Sequence, residues 1–85
     1  MPHIAVTMHS SRTDAEKAEL ADRLSAAVTR TLGYGSEAVS VSVEDVAPSQ
    51  WMDQIYRPQI DAHPGRLVKR PGYGPLSEQN EGEHS

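Results

Sequence analysis

Residues 13–32 read TDAEKAELADRLSAAVTRTL, and they decide the fold. Thr13 followed three residues later by Glu16 forms a capping box. Its hydroxyl accepts from a free N–H of the first turn, and the glutamate reaches back to the cap's own N–H. Asp14 adds negative charge at the positive end of the helix dipole. Leu20, Leu24, Ala27, Val28 and Leu32 then recur at helical spacing, with Glu19 and Arg23 four apart on the outer side. Gly33 and Gly35 follow, suited to the left-handed backbone that ends a helix. The pattern predicts a helix over 14–32.

The flanking segments alternate with period two. Ile4, Val6 and Met8 interleave with Ala5 and Thr7, which predicts a strand over about 3–8. AVSVSVEDV (38–46) places Val39, Val41 and Val43 on one face and Ser40, Ser42 and Glu44 on the other. Two strands joined by a long amphipathic helix make a β-α-β unit of α/β class, with parallel strands and a right-handed crossover. One helix covers only one face of such a sheet. The chain has 85 residues, no Phe and no Cys. A chain of this size buries only about 60–65% of its extended surface, and neither a disulfide nor a thiolate metal site is available. Association into a homo-oligomer is expected to supply the missing core.

The second half is less regular. Pro48, Ser49 and Gln50 form a helix entry into WMDQIY, a short helix expected to stop before Pro58. Four prolines and three glycines between 58 and 75 predict irregular chain, with one more helical turn near 59–63. LVKRPGYG (67–74) reads as an extended arm able to lie over a neighbour. The folded domain is expected to span 1–76, leaving 77–85 as a flexible acidic tail.

The net charge of −4 disfavours non-specific nucleic-acid binding. The charge is uneven: zero over 1–34, −3 over 35–60, +2 over 61–75 and −3 over 76–85. Arg66, Lys69 and Arg70 make up the one net-basic segment, read either as solvated chain or as an anion-facing surface. No run approaches the ~20 apolar residues of a membrane span, and no basic-plus-apolar leader stands at the start. A cytoplasmic protein with no membrane partner is expected. The four histidines, at 3, 9, 63 and 84, lack metal-ligand spacing, so no metal site is predicted.

Pro2 is the first candidate for chemistry. Methionine before a small residue is normally trimmed, and trimming would leave proline as a secondary amine at a strand start. An α-amino group titrates near ~7.7–8.0, and apolar burial or a nearby cation lowers that value toward a neutral, proton-accepting amine. The alternative is a proline that merely caps a strand. Arg12, in the loop after the first strand, suits a planar carboxylate or simply faces solvent. Within one chain it stands roughly 30 Å from Pro2 along extended backbone. Trp51 is either a packing residue or the wall of an apolar pocket. His3 adjoins Pro2, but neighbouring strand residues point to opposite faces.

An N-terminal proline, a short strand, the loop arginine in SSRTDAEKAEL, an amphipathic helix and the valine strand AVSVSVEDV form an ordered set. The set resembles the 4-oxalocrotonate tautomerase family over about residues 2–51, most densely in R-[ST]-D-x-x-K. PSQWMDQIYRPQI and LVKRPGYG resemble the longer, dimeric PptA-like branch. The resemblance implies a cofactor-independent keto–enol tautomerase, an isomerase with Pro2 as general base and a small carboxylate substrate. It implies that Arg12 binds the carboxylate from another subunit, that Trp51 lines the pocket, and that a dimer is favoured over a hexamer.

Ser40 stands where hexameric members carry a second arginine. That departure disfavours a dicarboxylate and favours an enol of phenylenolpyruvate type, with Arg70 or Lys69 as weaker candidates for a further donor. Two alternatives stay open: a non-catalytic β-α-β interaction module, and a superfamily hydratase, dehalogenase or decarboxylase.

Overall fold

The computed structural model describes residues 1–77. Strand β1 (His3–His9), helix α1 (Asp14–Leu32) and strand β2 (Ser40–Val46) follow in order, with a 3-10 turn at Ser36–Ala38. The strands form a two-stranded parallel sheet, pairing His3 with Ser40, Ala5 with Ser42 and Thr7 with Glu44. This is the expected β-α-β unit. The chain divides into two compact units, one ending at Pro48 and the other starting at Ser49.

α1 begins as its sequence requires. Thr13 takes the cap position, its hydroxyl accepting the Glu16 N–H at 3.1 Å while a Glu16 oxygen accepts the Thr13 N–H at 3.0 Å. Gly33 ends the helix at φ 82°, a left-handed conformation without penalty for glycine, and donates its N–H to Thr29. Lys17, Leu20, Ala21, Leu24, Ser25, Val28 and Thr29 form the half-buried stripe. Ala27 and Leu32, expected on that stripe, are exposed. Ala27 stands at the edge of the stripe, and Leu32 belongs to the last turn.

The sheet shows the same one-sided cover. Ile4, Val6, Met8, Val41 and Val43 are half-buried, whereas His3, Ala5, Ser40, Ser42 and Glu44 on the other face are exposed. No residue of α1 is fully buried, and within the first unit only Val46 is.

In the second unit a wide, π-type helix runs Met52–Asp61. It continues past Pro58, against the expected stop. Proline has no N–H for the carbonyl four residues back, and its ring crowds that group. Here the Gln59 side-chain amide lies 3.5 Å from the Gln54 oxygen. Ala62 donates to Arg57, five residues earlier, at 3.0 Å. Wider turns and a substitute donor let the helix absorb the proline. Leu67–Arg70 carry no regular element and Val68 is fully exposed. The acidic tail, apart from Ser77, lies outside the described residues.

Candidate active site

Pro2 precedes β1 by one residue and is half-buried. Its carbonyl accepts the Ser40 N–H at 3.3 Å, so the ladder between the strands begins there. Met1 is 95% exposed, and packing gives no reason to retain it. While Met1 is attached, the Pro2 nitrogen is an amide with no basic lone pair; once Met1 is removed, it is a secondary amine anchored beside Ser40.

The Ser40 side chain lies on the face away from α1, where its Oγ is 2.7 Å from His3 Nδ1. The second ring nitrogen, Nε2, is 3.4 Å from Ser42 Oγ. The register accounts for this: His3 stands opposite Ser40, Ala5 opposite Ser42, and Ala5 contributes only a methyl group to that face. Sequence reading passed over His3 because it was compared with Pro2 along one strand. The informative signal was H-x-A against S-x-S across two parallel strands.

Arg12 sits at the other end of β1. Ser10 extends the ladder by donating to the Val46 carbonyl at 3.1 Å. Ser11 then takes φ 153°, a backbone conformation rarely adopted by residues with side chains. Arg12 follows, 60% exposed in its side chain and 3.4 Å from a Glu16 carboxylate oxygen. The Thr13 backbone N–H holds the Glu16 carboxyl below its ordinary value, with the Thr13 hydroxyl and Arg12 adding to the effect. One turn on, Lys17 Nζ meets Asp45 Oδ2 at 2.6 Å, tying α1 to the end of β2; that hydrogen bond raises the Lys17 ammonium above its usual range. The seven residues of β1, at ~3.3 Å each, put about 23 Å of extended strand between Pro2 and Arg12 within one chain. A single subunit therefore does not bring the two together.

Trp51 and Arg70 belong to the second unit. The half-buried Trp51 donates its indole N–H to the Tyr73 hydroxyl at 2.8 Å. The Tyr73 ring lies 5.2 Å from that of Tyr56, tilted by 60°. Tyr56, fully buried, donates its hydroxyl to the Tyr73 carbonyl and accepts the Leu76 N–H, both at 3.0 Å. Tyr73 and Gly74, the end of the proposed arm, thus fold onto their own chain. Arg70 is exposed. Among the described residues no group of three or more His, Asp or Glu is placed to hold a metal ion. None of the helices among them is long and apolar enough to cross a membrane.

The family model described as tautomerase enzyme matches residues 2–54. A probable tautomerase of Xylella fastidiosa is 52% identical over 77 residues, covering 91% of this chain and 94% of the relative. Tautomerase PptA of Pectobacterium carotovorum is 36% identical over 75 residues, covering 86% of this chain and 97% of its own. Among solved structures, TomN, a 4-oxalocrotonate tautomerase homologue in the tomaymycin biosynthetic pathway, superposes with a TM-score of 0.58 at 44% identity. The superposition covers 59% of this chain and 77% of TomN.

Proposed function

The chain belongs to the 4-oxalocrotonate tautomerase family and is an isomerase, and from that premise we propose that it ketonises enols of 2-oxo monocarboxylates, with Pro2 as the base. The observation that carries this reading is the setting of Pro2: half-buried, one residue from the strand, its carbonyl bonded to Ser40, behind an exposed methionine.

The steps balance as a proton shuttle. The neutral Pro2 nitrogen takes the proton of the enol hydroxyl, and the O–H electron pair closes the carbonyl. The carbon–carbon π pair then forms the new C–H bond with the proton that the prolinium returns. Atoms and charge are unchanged overall. Arg12 holds the carboxylate in a bidentate grip and disperses charge as the enolate forms. The length of β1 favours a neighbouring subunit as the source of that arginine, which supports a homo-oligomer as the working enzyme, with a dimer as the favoured form. Trp51 offers an apolar face for the substrate's side chain. Ser40 gives one neutral donor where a second cation would suit a dicarboxylate, which selects a monoacid of phenylenolpyruvate type. A cytoplasmic location fits such a substrate.

Ketonisation of phenylenolpyruvate, followed by ultraviolet absorbance, tests the reading. Pro2→Ala is expected to lose about 10²–10⁴-fold in kcat, the usual reach of a positioned base. A variant that retains Met1, verified by intact mass, is expected to be equally impaired. Equal rates in all three proteins would exclude the proline mechanism. Arg12→Ala is expected to raise KM and lower kcat, and no change in either would remove the carboxylate clamp alone.

A further inference from the structure

We infer that Tyr73 is a positioning residue that sets substrate specificity: it holds the Trp51 indole by its N–H edge and presents the ring as a fixed, apolar wall for an enol acid with an aromatic group. This rests on the reading above, in which Trp51 faces the substrate's side chain.

An indole N–H only donates, so the direction of the 2.8 Å bond is settled: Trp51 Nε1 gives its proton and the Tyr73 hydroxyl oxygen accepts it. Covering an indole whose N–H faced water would strand that donor. Here the N–H already has a protein partner, so a phenyl group can lie over the ring without that loss. The same bond restrains the two side-chain torsions of the tryptophan, provided its acceptor does not move.

The acceptor is tied to the buried centre of its own unit. The Tyr73 carbonyl accepts the Tyr56 hydroxyl at 3.0 Å, and its ring lies 5.2 Å from that of the fully buried Tyr56. The next carbonyl, of Gly74, accepts both the N–H and the hydroxyl of Ser77, at 3.1 and 2.7 Å. The winding of the helix explains how one residue meets both aromatics. Trp51 and Tyr56 are five apart, which in an α-helix would turn them about 140° from each other. In a π-type helix, bonded from i to i+5, residues five apart return to nearly the same side. Met52–Asp61 is such a helix, and Trp51 enters it with helical angles, φ −58° and ψ −51°. Tyr73 thereby receives Trp51 on its hydroxyl and Tyr56 on its ring and carbonyl. Trp51 is half-buried and Tyr73 is 47% exposed, so the pair is open to a small acid.

Tyr73→Phe removes the acceptor but keeps the ring against Tyr56 and the carbonyl that Tyr56 bonds, so Tm is expected to stay near wild type. The chain has a single tryptophan, and its indole N–H gives one proton–nitrogen resonance. In Tyr73→Phe that resonance is expected to move upfield and to exchange faster with solvent. In phenylenolpyruvate ketonisation KM is expected to rise about three- to tenfold, the scale of one neutral hydrogen bond, with kcat kept. Direct titration is expected to show the same loss of affinity for phenylpyruvate and none for 2-oxobutanoate, which has no ring. Trp51→Phe keeps an apolar face without an N–H, and adding Tyr73→Phe to it is expected to cost nothing further.

An indole resonance unmoved in Tyr73→Phe would overturn the assignment. So would unchanged phenylpyruvate affinity, an equal loss for both acids, or losses that multiply in the double variant. Pro2→Ala, run beside them, separates the two levels. Full ketonisation by Pro2→Ala removes the proline mechanism, and the two titrations then still decide the role of Tyr73. Ketonisation lost in Pro2→Ala, with wild-type phenylpyruvate binding in Tyr73→Phe, removes the role of Tyr73 and leaves the tautomerase reading standing.

Discussion

The two compact units of this chain close their interiors in opposite ways. The first holds all the extended regular structure, two strands and a 19-residue helix, yet only Val46 within it is fully buried. The second is a wide-turned helix followed by proline- and glycine-rich chain, and it holds Ile55, Tyr56 and Leu76, each no more than 6% exposed. Regular hydrogen bonding satisfies a backbone without burying its side chains. A two-stranded sheet with a single helix has one bare face by construction, so its order in water depends on something else covering it. The second unit instead organises its turns around one aromatic side chain. Tyr56 answers two backbone groups with one hydroxyl, which lets an irregular segment be buried without orphaned polar atoms.

The largest expected effect follows from that anchor. Tyr56→Ala removes a fully buried ring, a change that costs about 3–5 kcal/mol in protein cores. Tyr56→Phe keeps the ring but strands the Tyr73 carbonyl and the Leu76 N–H, at about 1–3 kcal/mol. Thermal unfolding of both, with Tyr56→Ala the lower, checks the order. Gly74 sharpens the same point. It takes φ 73°, and a Cβ there would lie 2.6 Å from the Tyr56 ring, so Gly74→Ala is expected to lower Tm through both strain and overlap. A wild-type Tm in either Tyr56→Phe or Gly74→Ala would break the contrast between the units.

The first unit is expected to answer to dilution instead. If a second subunit covers the bare face, stability of a dimer falls by about 1.4 kcal/mol for each tenfold dilution. Amide exchange should then quicken first in β1 and β2, while the amides around Tyr56 and Leu76 keep their protection. Exchange independent of concentration would show that the open face needs no partner.

What could be read from the sequence divides along the same line. The helix at 14–32 was legible because its cap, dipole charges and terminal glycine are local chemistry. The strands were legible from alternation. Helix continuation through Pro58 was not, since it depends on wide turns and on the Gln59 amide reaching the Gln54 carbonyl. The Trp51–Tyr73 bond joins residues 22 apart across irregular chain, where no periodicity exists to be read. The candidate residues Pro2, Arg12, Ser40 and Trp51 could be named singly from their order along the chain. The link from His3 to Ser40 and Ser42 required the strand register, which alternation alone leaves unset.

The smallest expected effect concerns the end of the first unit that carries Arg12. Thr13→Ala removes the cap acceptor and is expected to cost about 1 kcal/mol. Its signature is in the pH dependence. Glu16 is held below its ordinary value of 4.5 by the Thr13 N–H first, then by the Thr13 hydroxyl and Arg12. A carboxyl lowered in the folded state favours folding above its unfolded value, and that contribution disappears as pH falls through the lowered value. Lys17, raised above 10.5 by Asp45, has the opposite sign: its contribution holds below that value and is lost as pH rises through the folded one. Wild type should therefore lose stability at both extremes. Glu16→Gln should flatten the acid limb, Thr13→Ala, which keeps the backbone N–H and loses only the hydroxyl, should flatten it in part, and both should leave the alkaline limb alone, while Asp45→Asn should do the reverse. If Thr13→Ala shifted both limbs together, the cap and the Lys17–Asp45 tie would be one coupled structure. The loop holding Arg12 would then be fixed from both of its ends.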